Sequence, residues 1–131
     1  MVLGAEGVQI GTRFALTEES SASSVFKDYC LSLREGDTKL LLKKLAPTRL
    51  VKNAFREAVE KAEDSGASAE DLRTLLGRGR AKKGIFEGDL EEGELEIGQV
   101  SAIISRRQSV AEVMNELVAA YQRAAKKDYL F

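Results

Sequence analysis

The sequence predicts a mostly α fold with one or two short strands, and three observations lead there. Apolar residues recur at helical spacing in several stretches, among them 25–33, 50–64, 72–76 and 110–121, with glycines or capping residues at their ends. One stretch, Gly7 to Gly11, instead alternates apolar with small or polar residues, as a short half-buried strand does. The length, 131 residues, supports one modest core but falls short of the about 250 residues of a (β/α)8 barrel.

Val2 to Ala5 reads as a helix tail stopped by Gly4. The strand follows in Gly7-Val-Gln-Ile-Gly-Thr-Arg-Phe14, with Val8 and Ile10 on its apolar edge and Gly11-Thr12 ending it. A glycine and a small hydroxyl residue at a strand's C-terminal end let backbone N–H groups approach an anion closely. Parallel α/β folds hold their ligands at that end. The same pattern also describes a buried strand leaving through a glycine turn. With Val8 and Ile10 turned outward, Gln9 points inward, toward a ligand or toward hydrogen bonds with neighbouring strands. Arg13 fits a phosphate contact or a surface ion pair, and Phe14 fits the core.

Ser20 to Ser24 offer N-caps to a helix striped by Val25, Phe26, Tyr29, Cys30 and Leu33 and closed by Gly36. Its place on that stripe makes Cys30 a buried, inert thiol. Lys39 to Leu45 suits a strand or an extended crossing, which Pro47-Thr48 interrupts before the next helix. Leu50 to Asp64 is the clearest helix, with Val51, Ala54, Phe55, Ala58, Val59 and Ala62 on one face. Gly66 ends it, Ser68 caps a short helix through Leu72, Leu75 and Leu76, and Gly77 stops that one.

Arg78 to Lys83 is basic and Glu87 to Glu96 is acidic. The first lacks interleaved aromatics and the second lacks EF-hand ligand spacing, so the two solvated runs are read as neutralising each other. From Ile97, the residues Val100, Ile103 and Ile104 predict another apolar-faced helix. Ser109 and Glu112 form a capping-box pattern before a last helix striped by Val110, Val113, Met114, Leu117, Val118 and Tyr121. Lys126 and Lys127 suit its C-terminal dipole, and Asp128 to Phe131 is a tail whose aromatics dock back or mark an association surface.

Composition narrows the chemistry. Lys plus Arg number 20 and Asp plus Glu 21, a net charge of −1 that asks for neither nucleic acid nor an anionic membrane. No apolar run approaches the roughly 18 residues of a membrane span. The start, MVLGAEG, lacks the basic end and long apolar region of a signal peptide. A single cysteine, Cys30, cannot form an intramolecular disulfide, so a reducing cytoplasm is the default compartment. Histidine is absent, which excludes Ser-His, Cys-His and His-metal constellations within the chain.

The run LGAEGVQIGTRFALTEES resembles the last barrel strand of the nitronate monooxygenase family, formerly called 2-nitropropane dioxygenases. It looks equally like the related FMN-dependent enoyl-acyl carrier protein reductase II. Similar spacing extends the resemblance through Phe26-Lys27, Asp37-Thr38, Arg49 to Asn53, Gly88-Asp89, Gly93 and Gly98-Gln99. It covers most of this chain but only the C-terminal part of such an enzyme.

The resemblance implies a fragment of an FMN-dependent TIM barrel (β/α)8. Residues 1–14 would be the last barrel strand and phosphate-binding turn, and residues 15–131 a helical C-terminal region. It implies FMN as cofactor, with Gln9, Gly11 and Thr12 as the cofactor-binding residues at its phosphate. It carries over no catalytic residue and no metal ligand. The implied parent reaction is oxidation of nitronates by oxygen, or reduction of an enoyl thioester by a nicotinamide cofactor. The family's acid/base histidine lies upstream of the matched segment, so the chain alone is expected to be inactive. The rival class is a non-enzymatic helical module that binds a protein partner. A lone barrel strand leaves both backbone edges unpaired, so self-association through residues 5–14 is also expected.

Overall fold

An antiparallel hairpin lies at the centre of residues 4–125, which the computed structural model describes. Strand β1 (Thr38–Leu41) pairs with β2 (Thr48–Val51), Thr38 opposite Val51 and Leu41 opposite Thr48. Pleating sends successive side chains to opposite faces, and β2 uses both. Leu50 enters a cluster with Leu41, Leu42, Phe55 and Val59, whereas Val51 joins Leu16, Phe26, Cys30, Leu95 and Ile97. The other edge of β2 is covered by residues 95–97. Val51 N–H donates to Leu95 O at 3.0 Å, Ile97 N–H donates to Arg49 O at 3.3 Å, and Leu50 bridges Glu96.

The helices around this hairpin begin where side chains satisfy N–H groups that a first turn leaves without acceptors. A single turn, α1 (Thr12–Ala15), comes first. Ser23 Oγ accepts from Phe26 N–H at 3.2 Å and opens α2 (Ser24–Leu31). Asn53 does the same for α3 (Ala54–Asp64) through Arg56 N–H at 2.8 Å. A Ser68–Asp71 capping box opens α4 (Ala69–Leu76). A π-helical turn (Lys82–Phe86) and a 3-10 turn (Gln99–Ile103) follow. Reciprocal Ser109–Glu112 bonds of 2.7 and 3.2 Å then open α5 (Val110–Ala125). No helix among the described residues is long and apolar enough to cross a membrane.

Among the described residues the fold is mostly helical with two strands, but neither strand lies where the alternation placed one. Residues 7–11 form no strand, and Thr12–Ala15 is helical. A strand is held by cross-strand hydrogen bonds, and no described residue pairs with this segment; Val8 is 83% exposed. Leu50 and Val51, expected to open a helix, belong to β2, and Asn53 delays the helix start to Ala54. Pro47 therefore precedes a strand, which Thr48 opens. The expected extended piece from Lys39 is present as β1, ending at Leu41. The helix expected from Ile97 is a 3-10 turn instead, and Ile97, Val100 and Ile103 recur every three residues, the period of that helix. Helix α2 ends at Leu31, short of Gly36, although Leu33 beyond it is still buried. Phe14 is half-buried rather than core. Val2, Leu3, Lys126, Lys127 and the tail to Phe131 lie outside the described residues.

Cys30 is fully buried on α2, and burial pushes its thiol up to about 12. The folded chain should therefore resist Ellman's reagent at pH 8 and react fully once unfolded in guanidinium. Rapid labelling of the native chain would contradict the burial. The raised thiol pKa favours folding below its ordinary value of 9.0, and that contribution fades as pH climbs toward 12.

Candidate functional site

Gly11 precedes α1 with φ −96° and ψ −65°, and its carbonyl accepts from Phe14 N–H at 3.0 Å and Ala15 N–H at 2.9 Å. The N–H groups of Thr12 and Arg13 open the turn and have no acceptor among the described residues. A Cβ built on Gly11 meets nothing within 4 Å, so the space beside the turn is open. Thr12 Oγ1 accepts from Gly98 N–H at 3.0 Å, which leaves its own O–H free to donate. That contact needs a glycine at 98, where an added Cβ would lie 2.3 Å from Thr12 Oγ1. The Gln9 side chain is exposed and makes no hydrogen bond among the described residues. Gln9, Gly11 and Thr12 line one open pocket of ≈ 750 Å³, together with Ile10, Ile103 and Leu117.

The same pocket has a polar wall, of which the sequence pattern singled out only Arg13. Arg13 hydrogen-bonds Gln108 Oε1 and pairs with Glu116 Oε2 at 3.2 Å. Gln108 Nε2 donates to Glu116 Oε1 at 2.5 Å, and Arg106 pairs with the same oxygen at 2.9 Å. The Gln108 hydrogen bond, then Arg106, holds the Glu116 carboxyl below its ordinary range. Two guanidinium groups against one carboxylate leave this wall net positive. Of the two readings of Arg13, the ion pair is the one observed. Its Gln108 partner is 95 residues away, and no local pattern links the two.

Away from the pocket, Lys27, Asn53 and Asp89 make contacts that hold loops together. Lys27 is buried, and its Nζ donates to Ser20 O at 2.7 Å and Glu18 O at 3.2 Å, with burial lowering its pKa. Asn53 caps α3 and also donates from Nδ2 to Gly93 O at 2.8 Å. Asp89 accepts from Glu91 and Glu92 N–H at 3.0 and 2.8 Å and pairs with Lys83 at 2.9 Å. The Glu92 N–H bond, then Lys83, holds its carboxyl down at about 2. The expected neutralisation of the basic and acidic runs is present in this pair, in Arg80–Glu92 at 3.4 Å and in Lys82–Glu87 at 3.3 Å. Arg80 does more, since it donates to Leu76 O at 2.9 Å and lies over the Phe55 ring at 4.5 Å. Among the described residues no three His, Cys, Asp or Glu side chains cluster as metal ligands.

The family model for nitronate monooxygenase matches residues 1–120. A probable nitronate monooxygenase of Bacillus subtilis is 31% identical over 118 residues, which cover 89% of this chain and 34% of that protein. Its Staphylococcus aureus counterpart is 41% identical over 66 residues, 48% of this chain and 18% of that one. Among solved structures, FabK from Thermotoga maritima matches with a TM-score of 0.79 at 28% identity, over 95% of this chain and 40% of FabK. The chain thus spans about a third of the length of the Bacillus relative. A family model matched from residue 1 to residue 120 places this chain in the nitronate monooxygenase family.

Proposed function

We propose that this chain supplies the C-terminal portion of an FMN-dependent oxidoreductase resembling nitronate monooxygenase, and that its Gly11-Thr12 turn holds part of the FMN phosphate. The supporting observation is the pair of N–H groups, on Thr12 and Arg13, left without acceptors beside the open space at Gly11. A phosphate there would accept from both, and from the Thr12 hydroxyl, within the field of a net positive wall. Gln9 on the same pocket offers a further amide donor. Bound FMN would supply the electron-transfer chemistry of nitronate oxidation, while this chain's residues bind and orient it. The similarity to FabK supports a second reading, in which the same segment serves reduction of an enoyl thioester in fatty-acid synthesis. A cytoplasmic location is part of the proposal and rests on the balanced charge and the single cysteine. Self-association of the isolated chain through residues 5–14, where Val8 is exposed, is also part of the proposal.

In a complete enzyme carrying this segment, Thr12→Ala is expected to weaken FMN binding about ten- to a hundred-fold. A hydrogen bond to a charged group contributes about 1.5–3 kcal/mol, and 1.4 kcal/mol is about tenfold. Thr12 also accepts from Gly98, so Thr12→Ser, which keeps the hydroxyl, should stay near the parent. Titration by flavin fluorescence reads both. Parent-like affinity in Thr12→Ala would remove the hydroxyl from the phosphate site.

A further inference from the structure

Burying an ammonium is costly, and a lysine is seldom buried without a carboxylate partner. Lys27 on α2 is such a case. It is 4% exposed, and its Nζ bonds two main-chain carbonyls, Ser20 O and Glu18 O, with no ion pair among the described residues. The loop that it grips carries two further tethers. Glu18 N–H donates to Gln108 O at 3.0 Å, and both Glu19 carboxylate oxygens accept at 3.0 Å from the N–H of Val110, the first residue of α5. Gln108 is itself 4% exposed, and its side chain joins Arg13 to Glu116 in the polar wall of the pocket. Lys27 does not line that pocket. A continuous path of bonds nevertheless runs from its Nζ through Glu18 and Glu19 to Gln108 and the start of α5.

We propose that Lys27 is a positioning residue for the polar wall: by holding the loop from Glu18 to Ser20, it sets where Gln108 and Glu116 stand against Arg13. The proposal deepens the phosphate reading and rests on it only for the consequence for FMN. Packing alone does not call for a lysine here. Phe26 and Cys30 fill the buried stripe of α2, and a methionine of similar length would occupy the place of Lys27 without desolvating a charge. Glu18 and Glu19 are exposed and Ser20 is half-buried. Carbonyls released by Lys27 would therefore turn to water and carry the loop outward. Arg107, beside Gln108, is moored to α2 through Ser24 O at 2.6 Å and Asp28 Oδ1 at 2.5 Å. It would keep the chain against α2, so the expected change is a displaced Gln108 side chain in a folded molecule. The Gln108 hydrogen bond is the largest influence holding the Glu116 carboxyl below its ordinary range. Glu116 thus reports on the wall in a way that stability alone does not.

The test is NMR of the parent chain, Lys27→Met and Glu19→Ala. In Lys27→Met the Glu18 and Val110 amides should exchange about tenfold faster, with the amides of α3 as protected as in the parent. The Glu116 carboxyl should titrate nearer the ordinary glutamate range. Glu19→Ala, at an exposed position outside both cores, should move Val110 exchange and Glu116 titration in the same directions. Removing the Lys27 charge would by itself raise the Glu116 pKa, whereas removing the Glu19 charge would lower it. A rise in both variants therefore reports the displaced Gln108. If Lys27→Met does not fold, Glu19→Ala decides. A Glu116 titration that no folded variant raises overturns the proposal, and so does parent-like exchange at Val110. In the complete enzyme Lys27→Met should also weaken FMN binding about fivefold. A raised Glu116 pKa with parent-like FMN affinity would leave the role of Lys27 standing and remove the wall from the phosphate site.

Discussion

Gly93→Ala is expected to cost about 3 kcal/mol and to lower the melting temperature by roughly 10 °C, at about 4 °C per kcal/mol for a chain of this size. A Cβ at that position would lie 2.2 Å from Gly84 Cα, 2.3 Å from Asp89 O and 2.7 Å from Gly84 N. All three are backbone atoms, so no side chain can rotate away to admit it. The crossing also gathers Asn53 Nδ2 to Gly93 O at 2.8 Å and Glu94 N–H to Arg80 O at 3.0 Å. Parting the two glycines would therefore loosen the α3 cap and the clasp between the basic and acidic runs together. Gly84→Ala should be milder, because its closest obstacle is Leu95 Cδ2 at 2.8 Å, the end of a side chain. Gly7→Ala, with nothing within 4 Å, is the neutral control. Circular-dichroism melting ranks the three. Gly93→Ala within about 2 °C of the parent would mean that the crossing is far looser than described.

What was legible in the sequence was chiefly local chemistry. Ser68, and Ser109 with Glu112, open helices because a cap needs only a side chain and the next turn's N–H groups. Gln9, Gly11 and Thr12 reach one pocket for the same reason, being near neighbours in the chain. Long-range pairing was not legible. Leu50 and Val51 suit a helix stripe by spacing, yet β1 and residues 95–97 recruit them into a sheet. Arg13, Gln108 and Glu116 carry no mutual signal in the sequence, since α1, α5 and the segment just before α5 bring them together only on folding. The alternation of residues 7–11 is genuine in the sequence and unfulfilled in the structure, because no described residue supplies its ladder. The family resemblance is borne out by the family model that matches residues 1–120. The structure adds that Lys27, Asn53, Asp89 and Gly93 make contacts that hold loops in place, and that none of them lines the pocket.

Gly11→Val, in a complete enzyme carrying this segment, is expected to reduce FMN affinity a hundredfold or more while leaving the fold intact. The backbone at Gly11, φ −96° and ψ −65°, is in the right-handed region open to any residue, and an added Cβ meets no protein atom within 4 Å. Gly11 contributes no side-chain cap to α1, so only its slight preference over valine at a helix start is lost. The protein side of the ledger is therefore close to neutral. The branched side chain would instead occupy the space into which the Thr12 and Arg13 N–H groups open. Losing two hydrogen bonds to a phosphate, at about 1.5–3 kcal/mol each, corresponds to a hundredfold or more. Gly11→Ala, which adds a single methyl, should fall between valine and the parent. Flavin fluorescence titration reads the affinities, and circular dichroism confirms that each variant is folded. A folded Gly11→Val enzyme that binds FMN like its parent would show that no phosphate lies against this turn, and the assignment of Gly11 and Thr12 would fall with it.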